Sequence, residues 1–157
     1  MAMSLGKAQI ELLKLNAEAE KMDRADIFTW LTKLGVPQKI IFQLQALWEK
    51  TKKLANQTIS IGKIILLKII EFCKAHPHAA IGMLLGAACG ALVSLIPFIG
   101  PLLAPLMTVI GAVYGLAKGA KLDSKTDSTF ESLIAVAKDF FILLKDIFTL
   151  VFPKLTD

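Results

Sequence analysis

A chain of 157 residues is long enough for one domain, and 55% of its residues are hydrophobic, with a mean hydropathy of +0.61. Soluble domains are about 45–50% apolar, and a small domain has proportionally more surface to cover, so we do not expect water to contact the whole surface. The net charge of +5 arises in residues 1–78, which contain twelve basic and seven acidic residues, whereas residues 79–157 are neutral. Two cysteines exclude a disulfide framework.

The spacing of apolar residues in the N-terminal region predicts amphipathic helices, and strand signals are weak throughout the chain. The first helix is expected over residues 4–22, with Ser4 as its N-cap. Asp26 is expected to cap the next helix. This helix should end at Gly35, just before Pro37, because a glycine followed by a proline is a usual helix ending.

Two further helices lead up to an uncharged stretch. Pro37 opens a helix predicted over residues 38–57, and a helix richer in Ile and Leu is predicted over 58–75. The sequence His-Pro-His at 76–78 ends the second of these, because the residue before a proline avoids helical angles. The basic residues lie directly before the uncharged stretch, which suits an anionic lipid surface. The expected contacts with lipid headgroups are Lys50, Lys52, Lys53, Lys63, Lys68 and Lys74, together with Lys118 and Lys121 beyond the stretch.

Residues 79–117 are thirty-nine consecutive positions without a charged side chain. One membrane span needs about 20 residues, so this segment is predicted to form a helical hairpin with arms at 79–96 and 102–117. At 1.5 Å per residue the arms are roughly 27 Å and 24 Å long, against a hydrocarbon core of ~30 Å. The hairpin therefore either barely spans a membrane or re-enters it. The predicted tip contains Pro97, Gly100, Pro101 and Pro105.

Each arm contains three glycines at a spacing of four residues, which places them on one face of a helix. Glycine in a helix costs about 1 kcal/mol relative to alanine in water, whereas in lipid it permits close contact between helices. The pattern favours packing between the two arms or between copies of the chain. The alternative is a glycine-rich hairpin buried in a soluble bundle. The glycines concerned are Gly82, Gly86, Gly90, Gly111, Gly115 and Gly119.

The C-terminal region, 118–157, is expected to contain a loop at 118–128 and one amphipathic helix over 127–152, capped by Asp127 or Ser128. Polar pairs recur every seven residues on this helix, and nearly everything between them is apolar. Such a narrow polar stripe is typical of a helix that is buried in a bundle or half-sunk in a lipid interface. The candidates for an aqueous pore lining are Lys138, Asp139, Lys145 and Asp146.

Other ligand chemistries have weaker support. Cys73, His76 and His78 lie close together, but a proline separates the histidines and no fourth metal ligand is near. Sensing of pH at the lipid boundary is an alternative role for these histidines. The sequence WEKTKK at 48–53 fits lipid headgroups better than nucleic acid. No catalytic motif is present, so we expect no enzyme activity, no metal, no cofactor and no nucleic-acid partner.

The order of these segments resembles the pore-forming domain of colicins over residues 38–152: basic amphipathic helices, an uncharged hairpin with a Pro/Gly tip, and one last helix. The glycine spacing resembles that of glycine-zipper membrane proteins. This chain is shorter than a colicin pore domain, which leaves less protein to wrap the hairpin in a soluble state. The resemblance implies a pore that forms when the hairpin inserts and amphipathic helices follow.

We therefore expect an all-α fold in which amphipathic helices pack around or beside a hydrophobic helical hairpin, followed by a final amphipathic helix. The expected function is that of a toxin or cell-killing effector that enters an anionic membrane, forms a homo-oligomer and opens an ion-conducting pore. Basic residues on both sides of the hairpin, and an N-terminus without a secretory signal, place both termini on the cytosolic side. The alternative function is a membrane anchor or scaffold that holds the N-terminal helices at the surface. A third hypothesis keeps the chain soluble in the cytosol until a trigger releases the hairpin.

Overall fold

The computed structural model of the chain describes residues 3–54, 56–114 and 124–152, and for residues 124–129 it describes the backbone alone. Within these ranges the fold is all-α, as predicted, with one short antiparallel pair of strands. The elements are α1 (Leu5–Glu20), α2 (Arg24–Lys33), α3 (Gln38–Trp48), β1 (Lys52–Leu54), β2 (Gln57–Ile59), α4 (Ile61–Ala75), α5 (Ile81–Leu95), α6 (Gly100–Tyr114), α7 (Ser124–Phe140) and α8 (Ile142–Val151), with a 3-10 turn at Pro97–Ile99.

The caps of the first two helices follow from local sequence. Ser4 caps α1 as predicted, because its hydroxyl accepts a hydrogen bond from the backbone N–H of Lys7 at 3.1 Å. The prediction of Asp26 as the next cap is wrong. Asp23 holds that position, and its carboxylate accepts from the N–H of Asp26 at 3.0 Å, so α2 begins three residues before the predicted helix.

The end of α2 is the one expected from Gly35 and Pro37. Gly35 has a positive φ of 91°, a conformation that residues with a Cβ rarely adopt. Its N–H bonds to the carbonyl of Thr32, and the N–H of Val36 bonds to that of Leu31, so the last carbonyl groups of α2 are satisfied. Pro37 then precedes α3 in an extended conformation.

The prediction of a helix over 38–57 is wrong beyond Trp48. There α3 ends and the antiparallel strands begin, with Lys52 opposite Ile59. The segment after Trp48 is mostly polar, and its β-branched residues favour an extended backbone. Ile59 is fully buried, so the strand pair delivers this side chain to the core before α4 begins at Ile61.

The central helix of the fold is α5. It contacts α4 and α6, its neighbours along the chain, and also α7 and α8. Ala87, Ala88 and Ala91 are fully buried, and such small side chains allow neighbouring helices to approach closely. Outside this group, α1 packs on α4 and α8, and α3 packs on α4 and α6. Amphipathic helices therefore surround the first arm of the hairpin, in agreement with the predicted fold.

The single helix expected over 127–152 is two helices, α7 and α8. The interruption lies at Phe141, whose backbone angles (φ −97°, ψ 8°) depart from those of an α-helix. The Phe141 side chain is fully buried, and its ring centroid lies 5.6 Å from that of Phe72 in α4. The interruption thus accompanies the placement of a large aromatic ring in the core.

The start of the C-terminal helix also differs from the prediction. The chain is helical from Ser124, so Asp127 and Ser128, the two expected caps, lie inside α7. The first part of the loop predicted at 118–128 falls in 115–123, outside the described residues.

Gly62, in the first turn of α4, packs against the end of α3. A Cβ at this position would lie 1.7 Å from the carbonyl oxygen of Leu47, a backbone atom that moves only if α3 moves. We expect Gly62→Ala to lower the free energy of unfolding by at least about 2 kcal/mol, as for other overpacked sites. Urea unfolding followed by circular dichroism measures this loss.

Gly6→Ala is the matched control for that measurement. Nothing lies within 4 Å of a Cβ at Gly6, and alanine is the better helix former, so this variant is expected to be neutral or slightly stabilised. Equal unfolding free energies for the Gly62 and Gly6 variants would contradict the close packing of α4 on α3.

Candidate membrane-interacting hairpin

The uncharged segment forms a helical hairpin in which α5 and α6 are the arms. Pro97 opens the 3-10 turn between them, and Gly100 begins α6 with ordinary helical angles. Pro101 and Pro105 both lie inside α6, and both are exposed. The second arm therefore begins at Gly100, before the predicted start at 102, and continues through Pro105. Each described arm has 15 residues, which is about 22 Å of helix, against ~30 Å for a hydrocarbon core.

The two arms differ in how far the rest of the protein covers them. Ser94 is the only exposed residue of α5. The second arm with its preceding turn, Pro97–Tyr114, is the one helical stretch of the described residues that is long and apolar enough to cross a membrane. Only 28% of its 18 residues are buried, whereas the core helix of a soluble protein is mostly buried. The second arm therefore lies at the surface of the bundle.

The outward face of α6 carries no charge. A surface helix ordinarily presents charged and polar residues to water. Here the inward face buries Leu103, Leu106 and Ile110 where α6 packs on α3 and α5. The exposed residues of α6 recur at spacings of three or four along the outward face, namely Pro101, Ala104, Pro105, Thr108, Ala112 and Val113.

Phe42 extends this apolar surface onto α3. Its side chain is 66% exposed, and it lines a shallow groove together with Val109 of α6. The sequence pattern alone does not predict that Phe42 is exposed. The helical spacing does contain a signal of this exposure. Phe42 follows Ile41 in the chain but lies on a different face of α3 from the apolar face formed by Ile41 and Leu44.

The glycine faces of the two arms meet at a cleft of about 350 Å³ between α5, α6 and α7. Gly86 and Gly90 line it from α5, and Gly111 lines it from α6. The Gly90 position is open, because nothing lies within 4 Å of a Cβ built there. In the compact fold this part of the glycine face is thus not filled by a neighbouring helix. Of the three remaining glycines of the predicted set, Gly115 and Gly119 lie outside the described residues.

Gly82 lies in close contact with the second arm. A Cβ there would lie 2.6 Å from the ring of Tyr114, the last described residue of α6. The start of the first arm and the end of the second therefore touch through a glycine and an aromatic ring. This contact joins the two arms at the end of the hairpin opposite its tip.

Lys63, one of the predicted headgroup lysines, is already engaged within the fold. Its ammonium group lies 3.1 Å from the carboxylate of Glu20 and 5.2 Å from the ring centroid of Trp48. A hydrogen bond from the Ser60 hydroxyl, and then the one from Lys63, lower the pKa of the Glu20 carboxyl below its usual range. Glu20 is therefore ionised at neutral pH, and Lys63 is less available to an external anion.

The remaining headgroup candidates differ from one another. Lys68 pairs with Glu71 at 3.1 Å, whereas the Lys74 ammonium lies 5.1 Å from the centroid of the Trp30 ring. Three lysines, Lys50, Lys52 and Lys53, lie at the strand pair, where Lys50 and Lys53 are exposed. Lys118 and Lys121 are outside the described residues.

The candidate pore-lining residues lie at the surface of the compact fold. Lys145 and Asp146 are 3.7 Å apart, and their side chains are 40% and 41% exposed. Lys138 is half-buried and Asp139 is exposed. Large apolar side chains are exposed on the same two helices, namely Val136, Phe140, Ile142 and Leu143. Among residues 130–151, the outer surface of α7 and α8 therefore combines exposed apolar side chains with charged ones, such as Glu131 and Asp139.

Cys73, His76 and His78 do not gather into a group of metal ligands. Within the described ranges, no three side chains of the His, Cys, Asp and Glu types come together in a way that could hold an ion. Cys73 is buried, His78 is exposed, and Nδ1 of His76 lies 3.0 Å from the carbonyl oxygen of Phe72. The end of α4 is thus fixed by a contact within the helix itself.

The Cys73 thiol supplies a test of the compact fold. Burial raises the pKa of this thiol to about 12 from its ordinary value of 9.0, and only the thiolate reacts with disulfide reagents. In a Cys89→Ala background at pH 8, we expect folded protein to contain on the order of 1,000-fold less thiolate than protein unfolded in guanidinium. Reaction with Ellman's reagent measures the difference, and a native rate that levels off near pH 9 would contradict the burial.

Comparison of the chain with protein-family models gives no match, and neither curated proteins nor solved structures match it significantly. The resemblance to colicin pore-forming domains and to glycine-zipper proteins therefore stays a prediction from the pattern of the sequence. The basis for a function is the hairpin itself: one covered arm, one arm with an uncharged outward face, and glycines at an open cleft.

Proposed function

We propose that this protein inserts its hairpin into an anionic lipid membrane, assembles there with further copies and forms a pore. A toxin or cell-killing effector acts in this way. The observation that carries the proposal is the uncovered second arm, an uncharged segment of 18 residues of which only 28% are buried. No charged side chain has to leave water when the outward face of this arm enters lipid, and charged residues are the expensive ones in a bilayer.

The buried contacts of α6 also favour this step. Leu106 and the other inward residues would leave an apolar core for an apolar solvent, because lipid tails are about as apolar as leucine. The free energy lost is that of uncovering α3 and α5, together with the specific packing of the core. Desolvation of α6 itself adds little.

The first arm cannot enter lipid directly. Because α4, α7 and α8 cover α5, this helix reaches lipid only after the amphipathic helices separate from it. We therefore assign the compact fold to a resting form that is soluble in the cytosol, and insertion to a later state. Both termini stay on the cytosolic side, where the basic residues of the chain favour them.

The basic N-terminal region brings the resting form to anionic lipid. Lys50 and Lys53 are exposed, and in the part of the chain that the structure describes no carboxylate lies within 4 Å of either ammonium group. A lysine close to an anionic membrane surface contributes about 1 kcal/mol to binding. These residues therefore suit the first electrostatic contact better than Lys63 and Lys68, which are ion-paired within the fold.

The glycine faces are suited to contacts between copies of the chain. In the resting form Phe130 and Ile134 of α7 line the cleft at Gly90, so departure of α7 uncovers the glycines of α5. In lipid a glycine face allows the backbones of two helices to approach, and packing then drives association. The polar stripe of α7 and α8, Lys138, Asp139, Lys145 and Asp146, is the candidate lining for water and ions.

A membrane anchor is the second candidate function. The 15-residue arms are short for a full span, and the polar stripe of α7 and α8 lies at the surface of the bundle. An anchor needs neither a pore lining nor assembly, and it would leave the N-terminal helices at the membrane surface. Binding to vesicles without leakage distinguishes it from a pore.

Release of a trapped dye from anionic vesicles tests the proposal. We expect the native protein to release dye from vesicles that contain phosphatidylglycerol, and much less from neutral phosphatidylcholine vesicles. Gly90→Leu fills an open position, so the compact fold should tolerate it, but the leucine blocks close helix contact at the glycine face. Its release is expected to fall at least tenfold while vesicle binding persists.

The control for this variant is Gly6→Leu, because Gly6 is also an open helical glycine but lies in α1, outside the hairpin. It should release dye like the native protein. Tight binding of the native protein without release would overturn the pore and leave the anchor. Full release by Gly90→Leu would overturn assembly through the glycine faces.

Weaker attachment of α6 should make insertion faster. Leu106 is 2% exposed, and replacing a buried leucine by alanine costs about 2–5 kcal/mol in a packed core. In lipid the same change leaves no fixed cavity, so Leu106→Ala destabilises the resting form more than the inserted one. We expect a shorter lag before dye release, by at least threefold.

Thr108→Ala serves as the comparison for Leu106→Ala, because Thr108 lies on the outward face of the same helix. Its lag should equal that of the native protein. A Leu106→Ala variant that is less stable in urea but has an unchanged lag would mean that α6 does not have to leave the bundle.

A further inference from the structure

A second cleft, separate from the glycine faces, lies where three helices meet at the base of the hairpin. It has a volume of about 390 Å³ and is formed by the end of α2, the end of α4 and the start of α5. This size falls in the usual range for sites that bind small molecules, roughly 300–1,000 Å³.

The walls of this cleft are mainly apolar. Trp30 and Leu34 contribute from α2, and Ile81 and Leu84 contribute from α5. Leu34 is 43% exposed, so one apolar wall is open to the outside. A hydrocarbon chain placed here would cover apolar surface at about 25 cal/mol per Å² removed from water.

The cationic group at the cleft is the ammonium of Lys74. The Lys74 ammonium lies 5.1 Å from the centroid of the Trp30 ring, and no carboxylate among the described residues lies within 4 Å of it. Lys63 and Lys68 of the same helix are both ion-paired. The ring attracts the ammonium through a cation–π contact, which leaves its N–H groups free to donate to an anion.

The second polar group at the cleft is His76. Its Nδ1 lies 3.0 Å from the carbonyl oxygen of Phe72, which leaves Nε2 as the ring nitrogen without a partner in the helix. Ligand sites commonly combine apolar walls with a few polar groups that fix the orientation of the ligand. Here the two polar side chains, Lys74 and His76, come from the end of α4, and the apolar walls come from α2 and α5.

We propose that this cleft binds a single-chain anionic lipid, such as a fatty-acid carboxylate, with its charged head at Lys74 and its hydrocarbon chain against Trp30 and the apolar wall of α5. The inference goes beyond the pore and does not depend on it, because the cleft belongs to the compact chain. A bound lipid stabilises whichever state contains the cleft by mass action. It would therefore favour the resting form, in which α2, α4 and α5 are held together.

Fluorescence of Trp30 tests this site directly. The chain has two tryptophans, so a Trp48→Phe variant leaves Trp30 as the only indole. Three probes are titrated without vesicles and below micelle formation: decanoate, decanol and inorganic phosphate. We expect decanoate to change the emission saturably, decanol to bind at least fivefold more weakly because it lacks the charge, and phosphate to have no effect because it lacks the chain.

Two lysine variants in the same background locate the charged contact. Lys74→Met is expected to weaken decanoate binding at least tenfold, whereas Lys68→Met, which removes the same charge from the same helix, should leave it unchanged. Decanoate should also raise the midpoint of thermal unfolding for the Lys68 variant but not for the Lys74 variant. Unchanged circular dichroism before titration establishes that both variants are folded.

The inference is overturned by any of three results. Equal binding of decanoate and decanol would mean a purely apolar cleft, and a saturable change in Trp30 emission with inorganic phosphate would mean a site for free anions. Equal losses in the two lysine variants would mean a general effect of net charge. None of these outcomes depends on dye release, so the test of the lipid site is independent of the test of the pore.

Discussion

The structure depends on keeping one uncharged helix out of water. α5 has no charged side chain, and three of its buried residues are alanines. The helices α4, α6, α7 and α8 all contact it. Burial of such a helix adds to the hydrophobic free energy of the fold, since each of its buried leucines, Leu84, Leu85 and Leu92, contributes about 1.5–3 kcal/mol. The small residues decide the geometry, because they allow several helices to approach the same helix at once. The N-terminal helices and the strand pair then close the bundle around this group.

The same constraint leaves α6 at the surface. A chain of 157 residues has a limited supply of amphipathic helices, and a small domain has more surface for its volume than a large one. One arm of the hairpin is covered well and the other is covered on one side only, with an uncharged face outward. This difference suits the proposed insertion into a membrane, in which the buried arm would stabilise a resting form and the uncovered arm would enter lipid first. The proposed lipid cleft lies at the opposite end of the hairpin from its tip, where the proposed ligand binding and hairpin release would act on the same helices.

Sequence patterns predicted the local features of the fold and missed those that depend on distant partners. The Ser4 cap, the ending at Gly35 and the break near Pro97 each follow from a few adjacent residues, and each is present. The strand pair after Trp48 was missed because Ile59 adopts extended backbone to reach a core that only the complete fold provides. The break at Phe141 has the same origin, since it depends on the ring of Phe72. Hydropathy could not tell which arm would face outward, because both arms are equally free of charge. The engagement of Lys63 was equally inaccessible, because its partner Glu20 lies 43 positions away.

The contact between Gly82 and Tyr114 has a consequence for how this protein can change over evolution. A methyl group at position 82 would overlap the tyrosine ring, so a larger residue at 82 requires the ring at 114 to move. A smaller residue at 114 would remove that restriction, and alanine at 82 would then fill part of the vacated space. The two positions, 32 apart in the chain, are thus coupled in their allowed residues. In any related chain that lacks an aromatic ring at 114, we expect the first glycine of the pattern to be free to vary.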